Sequence, residues 1–264
     1  MFETVDFRLE PPFAYITLNR PEVKNALSRQ LTRELLEAFK TLQDNKDIRA
    51  ILLSGAGGTF CAGGDLKEMR EAFNDSTESS DLDFEALLIA INEAPQVVVA
   101  KIEGAAMGGG FGMVCVSDIA IASDTALMGL PEVKLGIAPA FISPYVIQRI
   151  GLTRSRELML TGRRFDGATA HAYGLVHEVV PQDNIDARIT QILNDLRDCS
   201  PNAVRAIKSL IFAVKDKSFD ETVTYRANLL QSLRAGDDAQ EGIAAFMGRR
   251  KPAWATADDK GDGE

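Results

Sequence analysis

The residues with the clearest capacity for chemistry are two glycine-rich segments and one isolated glutamate. The first segment, SGAGGTFCAGGD at 54–65, runs on into Leu66 and Lys67, and the second, EGAAMGGGFG, spans 103–112. Each follows an apolar run that reads as a buried strand, and glycines after a strand let backbone approach a ligand closely. Where such a turn opens a helix, its free N–H groups and the helix dipole point at negative charge. Two such turns side by side would place two N–H donors on one oxyanion. Tight backbone packing is the alternative use of either cluster. A phosphate cradle fits less well, because the first segment lacks the GK[ST] of a P-loop and the second lacks a downstream acid for a ribose.

Glu132 stands in MGLPEVKLG (128–136), directly after Pro131 and among apolar residues and glycines. Desolvation there would raise its pKa and suit it to general acid or base work. A solvated surface carboxylate is the plain alternative. Only two histidines are present, His171 and His177, six apart in an Ala/Gly/Val-rich stretch, which argues against a histidine metal site or a histidine-based triad. Cys61, Cys115 and Cys199 include no CxxC and cannot pair completely, so reduced, structural thiols are expected. The chemistry therefore falls to carboxylates and backbone.

The elements that must hold these groups alternate strands with helices. Short strands are expected at 5–9 and 13–18, buried strands at 50–54, 97–102 and 119–122, and a shorter one at 176–180. A helix follows Ser28 as its N-cap, with Leu31, Leu35, Leu36, Phe39 and Leu42 on one face. The polar run 74–83 reads as a mobile loop. Ser143-Pro144 and Ser200-Pro201 each set an N-cap before Pro at the first helical position. Another helix is expected from Thr153, carrying Leu158 and Leu160 inward, and 220–250 reads as helices broken near Gly236. The pattern implies an α/β core with parallel pairing over 1–195, a helical part over 196–255 and a disordered tail at 256–264.

With 264 residues, 45% of them hydrophobic and 25% charged, the chain is of ordinary globular composition and can bury a sizeable core. No run approaches the ~18 apolar residues of a membrane span, and the N-terminus lacks the apolar region of a secretory signal, so a cytoplasmic protein without a membrane partner is expected. A net charge of −9 argues against nucleic acid as a partner, yet one or two local cations would still suffice for a few phosphates.

Taken together, LNRPEVKNAL (18–27), FCAGGDLK (60–67), GGG (108–110) and EGIAAF (241–246) resemble the crotonase, or enoyl-CoA hydratase/isomerase, superfamily, in the same order and over most of the chain. The resemblance implies an α/β spiral of ββα units with a C-terminal helical part used for trimerisation, assembled as trimers or hexamers. It implies an acyl-CoA thioester as the ligand and no metal or redox cofactor, CoA entering as part of the substrate. By position, the Gly64 and Gly109 N–H groups would hold the thioester oxygen as it gains enolate charge. Ala62 corresponds to a backbone contact with the CoA adenine and Lys67 to a residue beside the same nucleotide, with Asp65 and Leu66 between them. Lys24 falls where a basic residue approaches the CoA phosphates, and Arg249 where one reaches the CoA of a neighbouring subunit. Plain surface charge accounts for these three cations equally well.

One departure matters more than the agreement. Well-studied hydratases of the family use two glutamates, and the position of the first is Gly112 here. Three readings follow: a hydratase using Glu132 alone, with water held also by a backbone N–H such as that of Ala140; a Δ3-Δ2 enoyl-CoA isomerase, which needs one base; or a non-catalytic acyl-CoA binding protein, against which the retention of Glu132 counts. Residues 132–149 are similar to bacterial 3-methylglutaconyl-CoA and isohexenylglutaconyl-CoA hydratases. That similarity implies a branched enoyl-CoA in a pocket lined after Pro131 by 140–145, Ala140 and Phe141 included. Whether Asp118 or Glu85 replaces the missing glutamate, or Asp118 serves the core, stays open at this level.

Overall fold

The computed structural model describes residues 2–72 and 79–256. The chain opens with β1 (Val5–Glu10), β2 (Phe13–Leu18), α1 (Arg29–Leu42), β3 (Ala50–Gly55), α2 (Leu66–Ala72), α3 (Ser79–Glu93) and β4 (Val97–Ile102). It continues through β5 (Ala105–Met107), α4 (Gly109–Val116), β6 (Ile119–Ser123), β7 (Leu127–Gly129), α5 (Ser143–Thr161), β8 (Arg164–Asp166), α6 (Gly167–Ala172), β9 (Glu178–Val180) and α7 (Ile185–Arg197). Four helices close it: α8 (Pro201–Val214), α9 (Phe219–Ala235), α10 (Asp237–Met247) and α11 (Ala253–Thr256).

One sheet runs in the order β1-β2-β3-β4-β6-β9, antiparallel between β1 and β2 and parallel thereafter. Parallel strands covered on both faces read as near-continuous apolar runs, and β4 (VVVAKI) does so at every position but Lys101, whose ammonium pairs with Glu103 and Asp186. Val98, Ala100 and Ile102 join Ile51 and Leu53 in the main core, while Val99 packs with Ala50 and Ile121 against Ile185 and Ile189 of α7. Helix α1 lies over the main core. The Ser28 hydroxyl accepts the Leu31 N–H at 3.1 Å, and Leu31, Leu35, Leu36, Phe39 and Leu42 are all buried, each contributing about 2 kcal/mol of apolar burial.

Several expectations need correction. The stretch read as a loop is helical from Ser79 onward, as part of α3; residues 73–78 lie outside the described residues. Ser143 does not cap α5. Ile142 is already in the right-handed region, and the Ser143 hydroxyl donates to the Ala140 carbonyl at 2.9 Å. The helix expected from Thr153 is present in substance: Gly151, with φ 74 and ψ 162, breaks α5 into two helical stretches, and the second begins directly after it. Leu158 is buried but Leu160 is 70% exposed. Positions two apart on a helix point to nearly opposite sides, so both cannot face one core. Ser200 does cap α8, accepting the Ala203 N–H at 3.1 Å, and α9 gives way to α10 at Gly236. Thr256 closes α11 rather than opening the tail, and 257–264 lie outside the described residues.

A second, small sheet, β5-β7-β8, was not expected from the sequence. Its strands have three residues each, too short for any periodicity to register. It is nevertheless the element that assembles the site. Among the described residues, no helix is long and apolar enough to cross a membrane.

Candidate active site

Both glycine segments are brought to one place by backbone pairing. The Cys61 N–H donates to the Ala105 carbonyl (2.8 Å), and the Met107 N–H to the Cys61 carbonyl (3.0 Å), so the first glycine loop is clamped along β5. Leu27 grips the other side of that loop: its N–H donates to Gly63 O (2.8 Å), and its carbonyl accepts the Asp65 N–H (3.0 Å). β5 in turn pairs in register with β7, and the Gly108 N–H donates to Gly129 O at 3.0 Å. Two residues beyond Gly129, Pro131 opens a single 3₁₀ turn, Pro131–Leu135, that carries Glu132. The two loops and the glutamate thus converge through one short sheet.

Gly108 has φ 52, a conformation that lets the chain turn sharply into α4, and Gly109 is the first residue of that helix. Among the described residues, neither the Gly64 nor the Gly109 N–H donates to a protein acceptor. Both residues line a cavity of about 440 Å³. Glu132 lies across the same cavity, with Oε1 3.0 Å from where a Cβ on Gly108 would be. Its Oε2 is buried without a hydrogen-bond partner among the described residues. Withdrawal from water pushes the Glu132 carboxyl above the ordinary range, offset only in part by its own backbone N–H. A desolvated carboxylate with one oxygen unpartnered, sharing a cavity with two free N–H donors, is suited to move a proton near a developing oxyanion.

Of the residues expected at the site, Ala62, Gly64, Asp65, Leu66, Gly109, Pro131, Glu132, Ala140 and Phe141 are on the cavity wall. Asp65 also has an evident local task. Its carboxylate accepts the Lys67 N–H at the start of α2 and pairs with Arg20 at 3.1 Å, fixing the loop that presents Gly64. Lys24, Lys67, Gly112 and Arg249 are not on the wall. Gly112 is buried inside α4, and a Cβ there would stand 2.2 Å from Ile142 Cγ2 and 3.6 Å from Leu88 Cδ2. The volume a glutamate would need is filled by isoleucine. Asp118 and Glu85 are also off the wall. Asp118 accepts the Val98 N–H (2.7 Å) and the Lys208 ammonium (2.6 Å), which is a core role.

The sequence reading missed Arg29, Met69, Phe84 and Arg164, all of which line the cavity. Met69 and Phe84 stand against the two oxyanion glycines, 2.9 Å and 3.0 Å from where Cβ atoms on Gly64 and Gly109 would lie. The one sequence signal was their placement on helices flanking the glycine loops. His177 accepts the Ala120 N–H at 3.0 Å through Nδ1, a structural task. The three thiols are unpaired, and burial pushes those of Cys61 and Cys115 up to about 12. Among the described residues, no cluster of three or more His, Cys, Asp or Glu side chains is arranged to hold a metal ion.

Residues 10–257 match the enoyl-CoA hydratase/isomerase family. The chain is an enzyme of the enoyl-CoA hydratase/isomerase family. It is 35% identical over 255 residues to "Probable enoyl-CoA hydratase echA8" of Mycobacterium tuberculosis, covering 96% of this chain and 98% of the relative. It is 35% identical over 241 residues to "Enoyl-CoA hydratase ACTT6" of Alternaria alternata, covering 90% and 80% of the two chains. Among solved structures, Pseudomonas aeruginosa AtuE superposes with a TM-score of 0.93 at 42% identity, covering 96% of this chain and 100% of that one. An enoyl-CoA hydratase/isomerase from Marinobacter aquaeolei gives 0.91 at 39% identity, covering 96% and 99%. The α/β architecture described above is therefore the crotonase fold.

Proposed function

We propose that the protein is an enoyl-CoA hydratase that adds water across, or removes it to form, the 2,3 double bond of an enoyl-CoA thioester, with Glu132 as its acting carboxylate. The observation that carries the reading is the buried, unpartnered Glu132 Oε2 facing a cavity that also holds the free Gly64 and Gly109 N–H groups. Ionised Glu132 accepts a proton from water as the water oxygen bonds to C3, and the electron pair of the double bond moves onto the thioester oxygen. The two N–H donors hold that oxyanion, where one such donor contributes about 3 kcal/mol to lowering the barrier. The same carboxyl then returns the proton to C2 as the thioester carbonyl reforms. The Ala140 N–H, expected from the sequence to hold the water, instead donates to the Ala138 carbonyl at 2.9 Å, which leaves Glu132 as the water's partner in this reading.

A second reading, Δ3-Δ2 isomerisation, draws support from Ile142. Its side chain fills the space beside Gly112 and leaves one base, which is all a C4-to-C2 proton shift requires. A non-catalytic acyl-CoA binding protein is a third and weaker reading, against which the buried Glu132 counts. The similarity of 132–149 to bacterial 3-methylglutaconyl-CoA hydratases favours a branched acyl chain. CoA contacts by Lys24, Lys67 and Arg249, assembly as a trimer or hexamer and a cytoplasmic setting belong to the same proposal. Phe219, Phe246 and Met247 on α9 and α10 are 85%, 85% and 78% exposed and would be covered in such an assembly.

The deciding experiment supplies purified protein with crotonyl-CoA, 3-methylglutaconyl-CoA and a 3-enoyl-CoA in turn, with products identified by mass. A gain of one water on a 2-enoyl thioester is the expected result. A mass-neutral rise of 2-enoyl absorbance from the 3-enoyl thioester alone would establish the isomerase instead. Turnover of crotonyl-CoA far above that of methylglutaconyl-CoA would sink the branched-substrate reading.

A further inference from the structure

The two oxyanion glycines are backed unequally. Gly109 opens α4 and is pinned by two side chains, with Leu27 Cδ1 and Phe84 Cζ 2.6 Å and 3.0 Å from where a Cβ on it would stand. Gly64 is exposed. Among the described residues, its chain neighbours apart, only Met69 comes within 4 Å of the corresponding point, with Sδ at 2.9 Å. A preorganised donor is useful only if its direction is held. For Gly64 that task passes to the element that carries Met69.

That element is α2, seven residues that begin directly beyond the glycine loop. Its first turn is tied back to Asp65, whose carboxylate accepts the Lys67 N–H at 3.1 Å and whose carbonyl accepts the Met69 N–H at 2.9 Å. Both bonds are local and move with the loop. Among the described residues, the one hydrogen bond that joins α2 to another element comes from Glu68, whose Oε2 accepts the Arg29 N–H at 2.8 Å. Arg29 opens α1, which its buried apolar face fixes to the core. A carboxylate on the first N–H of a helix makes a charge-assisted bond that the helix dipole favours, so the tie is firm. Glu68 stands on the cavity wall, one residue before Met69.

We propose that Glu68 is a positioning residue of the oxyanion site: by holding α2 to the start of α1, it keeps the Met69 thioether seated on Gly64 and so fixes the direction of the Gly64 N–H. This rests on the reading of Gly64 and Gly109 as donors to the thioester oxygen, and extends it to a side chain that acts through its neighbours.

The test uses the full chain with butyryl-CoA isotopically labelled at the thioester carbonyl. Infrared difference spectroscopy reads the carbonyl stretching frequency, which falls as the oxygen receives stronger hydrogen bonds; kcat and KM for crotonyl-CoA are measured alongside. Bound to the wild type, the carbonyl absorbs below its solution frequency. Glu68→Ala loses much of that lowering, and kcat falls about tenfold, short of the ~100-fold or more for removing a donor outright, while KM stays within about twofold. Glu68→Gln recovers most of both, because its amide oxygen still accepts the Arg29 N–H. Glu68→Ala combined with Met69→Ala is no worse than the poorer single variant, since both act through one contact. Ser200→Ala, which removes the cap of α8, lowers the melting temperature and leaves frequency and kcat in place, so lost stability alone does not move the readout.

A frequency and kcat unchanged in Glu68→Ala overturn the proposal. So does a loss in Glu68→Gln as deep as in Glu68→Ala, which would give the carboxylate charge its own role at the ligand. A wild type that leaves the carbonyl at its solution frequency contradicts the oxyanion reading and takes the proposal with it, whereas a lowering that survives in Glu68→Ala removes Glu68 alone. Should Glu68→Ala fail to fold, Glu68→Asp decides: its carboxylate is one methylene short of the Arg29 N–H and is expected to lose part of the lowering, and a wild-type frequency there overturns the proposal. The frequency needs binding and no turnover, so it judges Glu68 apart from the hydratase reading.

Discussion

The catalytic wall and the C-terminal helical layer differ in where their polar groups find partners, although Gln96 Oε1, at the junction with the layer, is also buried without a hydrogen-bond partner among the described residues. In the layer, cations are engaged on backbone carbonyls: Arg49 donates to Arg197 O and Trp254 O, and Arg205 to Asn45 O and Ile48 O. Lys208 donates to Gln96 O and pairs with Asp118 at 2.6 Å. These contacts bolt α8 and the chain end onto the loops between α1, β3 and β4. At the wall, the Gly64 and Gly109 N–H groups and Glu132 Oε2 are left without partners among the described residues. An unmet polar group destabilises a fold by about 1–3 kcal/mol, so one region secures the molecule while the other keeps its valences open for a ligand. Stability and reactivity are separated in space, and substitutions in the two regions should separate them in measurement.

The largest effect is expected at the wall. Glu132→Gln should lower kcat about a thousandfold, leave binding of a saturated acyl-CoA nearly as it was, and melt higher at neutral pH. The sign of the last effect follows from the raised carboxyl. Protonated Glu132 is favoured in the folded state, so its contribution is present below the ordinary value of 4.5 and is lost as pH rises through the raised one. At neutral pH the desolvated carboxylate is a liability that Gln removes. A variant that keeps near-full turnover would take Glu132 out of the mechanism.

The opposite result is expected in the layer. Lys208→Ala strands Asp118 in a partly buried site and should lower the unfolding free energy by about 3 kcal/mol. Turnover per folded molecule should not move. Urea unfolding and active-site titration together check this; a parallel fall in kcat would show that the two regions are coupled.

Smaller effects sharpen the boundary between them. Gly112→Ala drives a methyl into Ile142 and should lose about 1–3 kcal/mol of stability. Adding Ile142→Ala should relieve the clash, giving a coupling of about 1 kcal/mol or more in a double-mutant cycle. Additive losses would mean that Ile142 does not occupy that space. Smallest of all is the pH dependence: kcat/KM should rise with pH through an ionisation above the usual carboxylate range, and Glu132→Gln should erase that limb.

Much of the main sheet was legible because β2, β4 and β6 are nearly continuous apolar runs, and α1 because its apolar spacing and Ser28 cap agree. The small sheet was not, since three-residue strands such as β5 and β7 are specified by their neighbours rather than by their own pattern. The inward placement of Leu160 failed because helix geometry forbids it a share of the face that Leu158 uses. At the site, Gly64, Gly109 and Glu132 were legible through motif resemblance, and the backbone bonds of Cys61, Leu27 and Gly108 explain how they meet. Arg29 escaped notice because an arginine in the first turn of an amphipathic helix is ordinary sequence; only the cavity gives it meaning. The consequence of Gly112 was half legible. The missing carboxylate was visible in the sequence, but the isoleucine that fills its volume comes from 30 residues further on.

The central claim, that one carboxylate both activates the water and returns the proton, is tested most directly by the stereochemistry of hydration in deuterium oxide. A single carboxylate sits on one face of the double bond, so the hydroxyl at C3 and the deuterium at C2 must arrive on the same face. Proton NMR of the hydrated crotonyl thioester should show syn addition alone. Anti addition would require a second acid on the opposite side and would contradict the account.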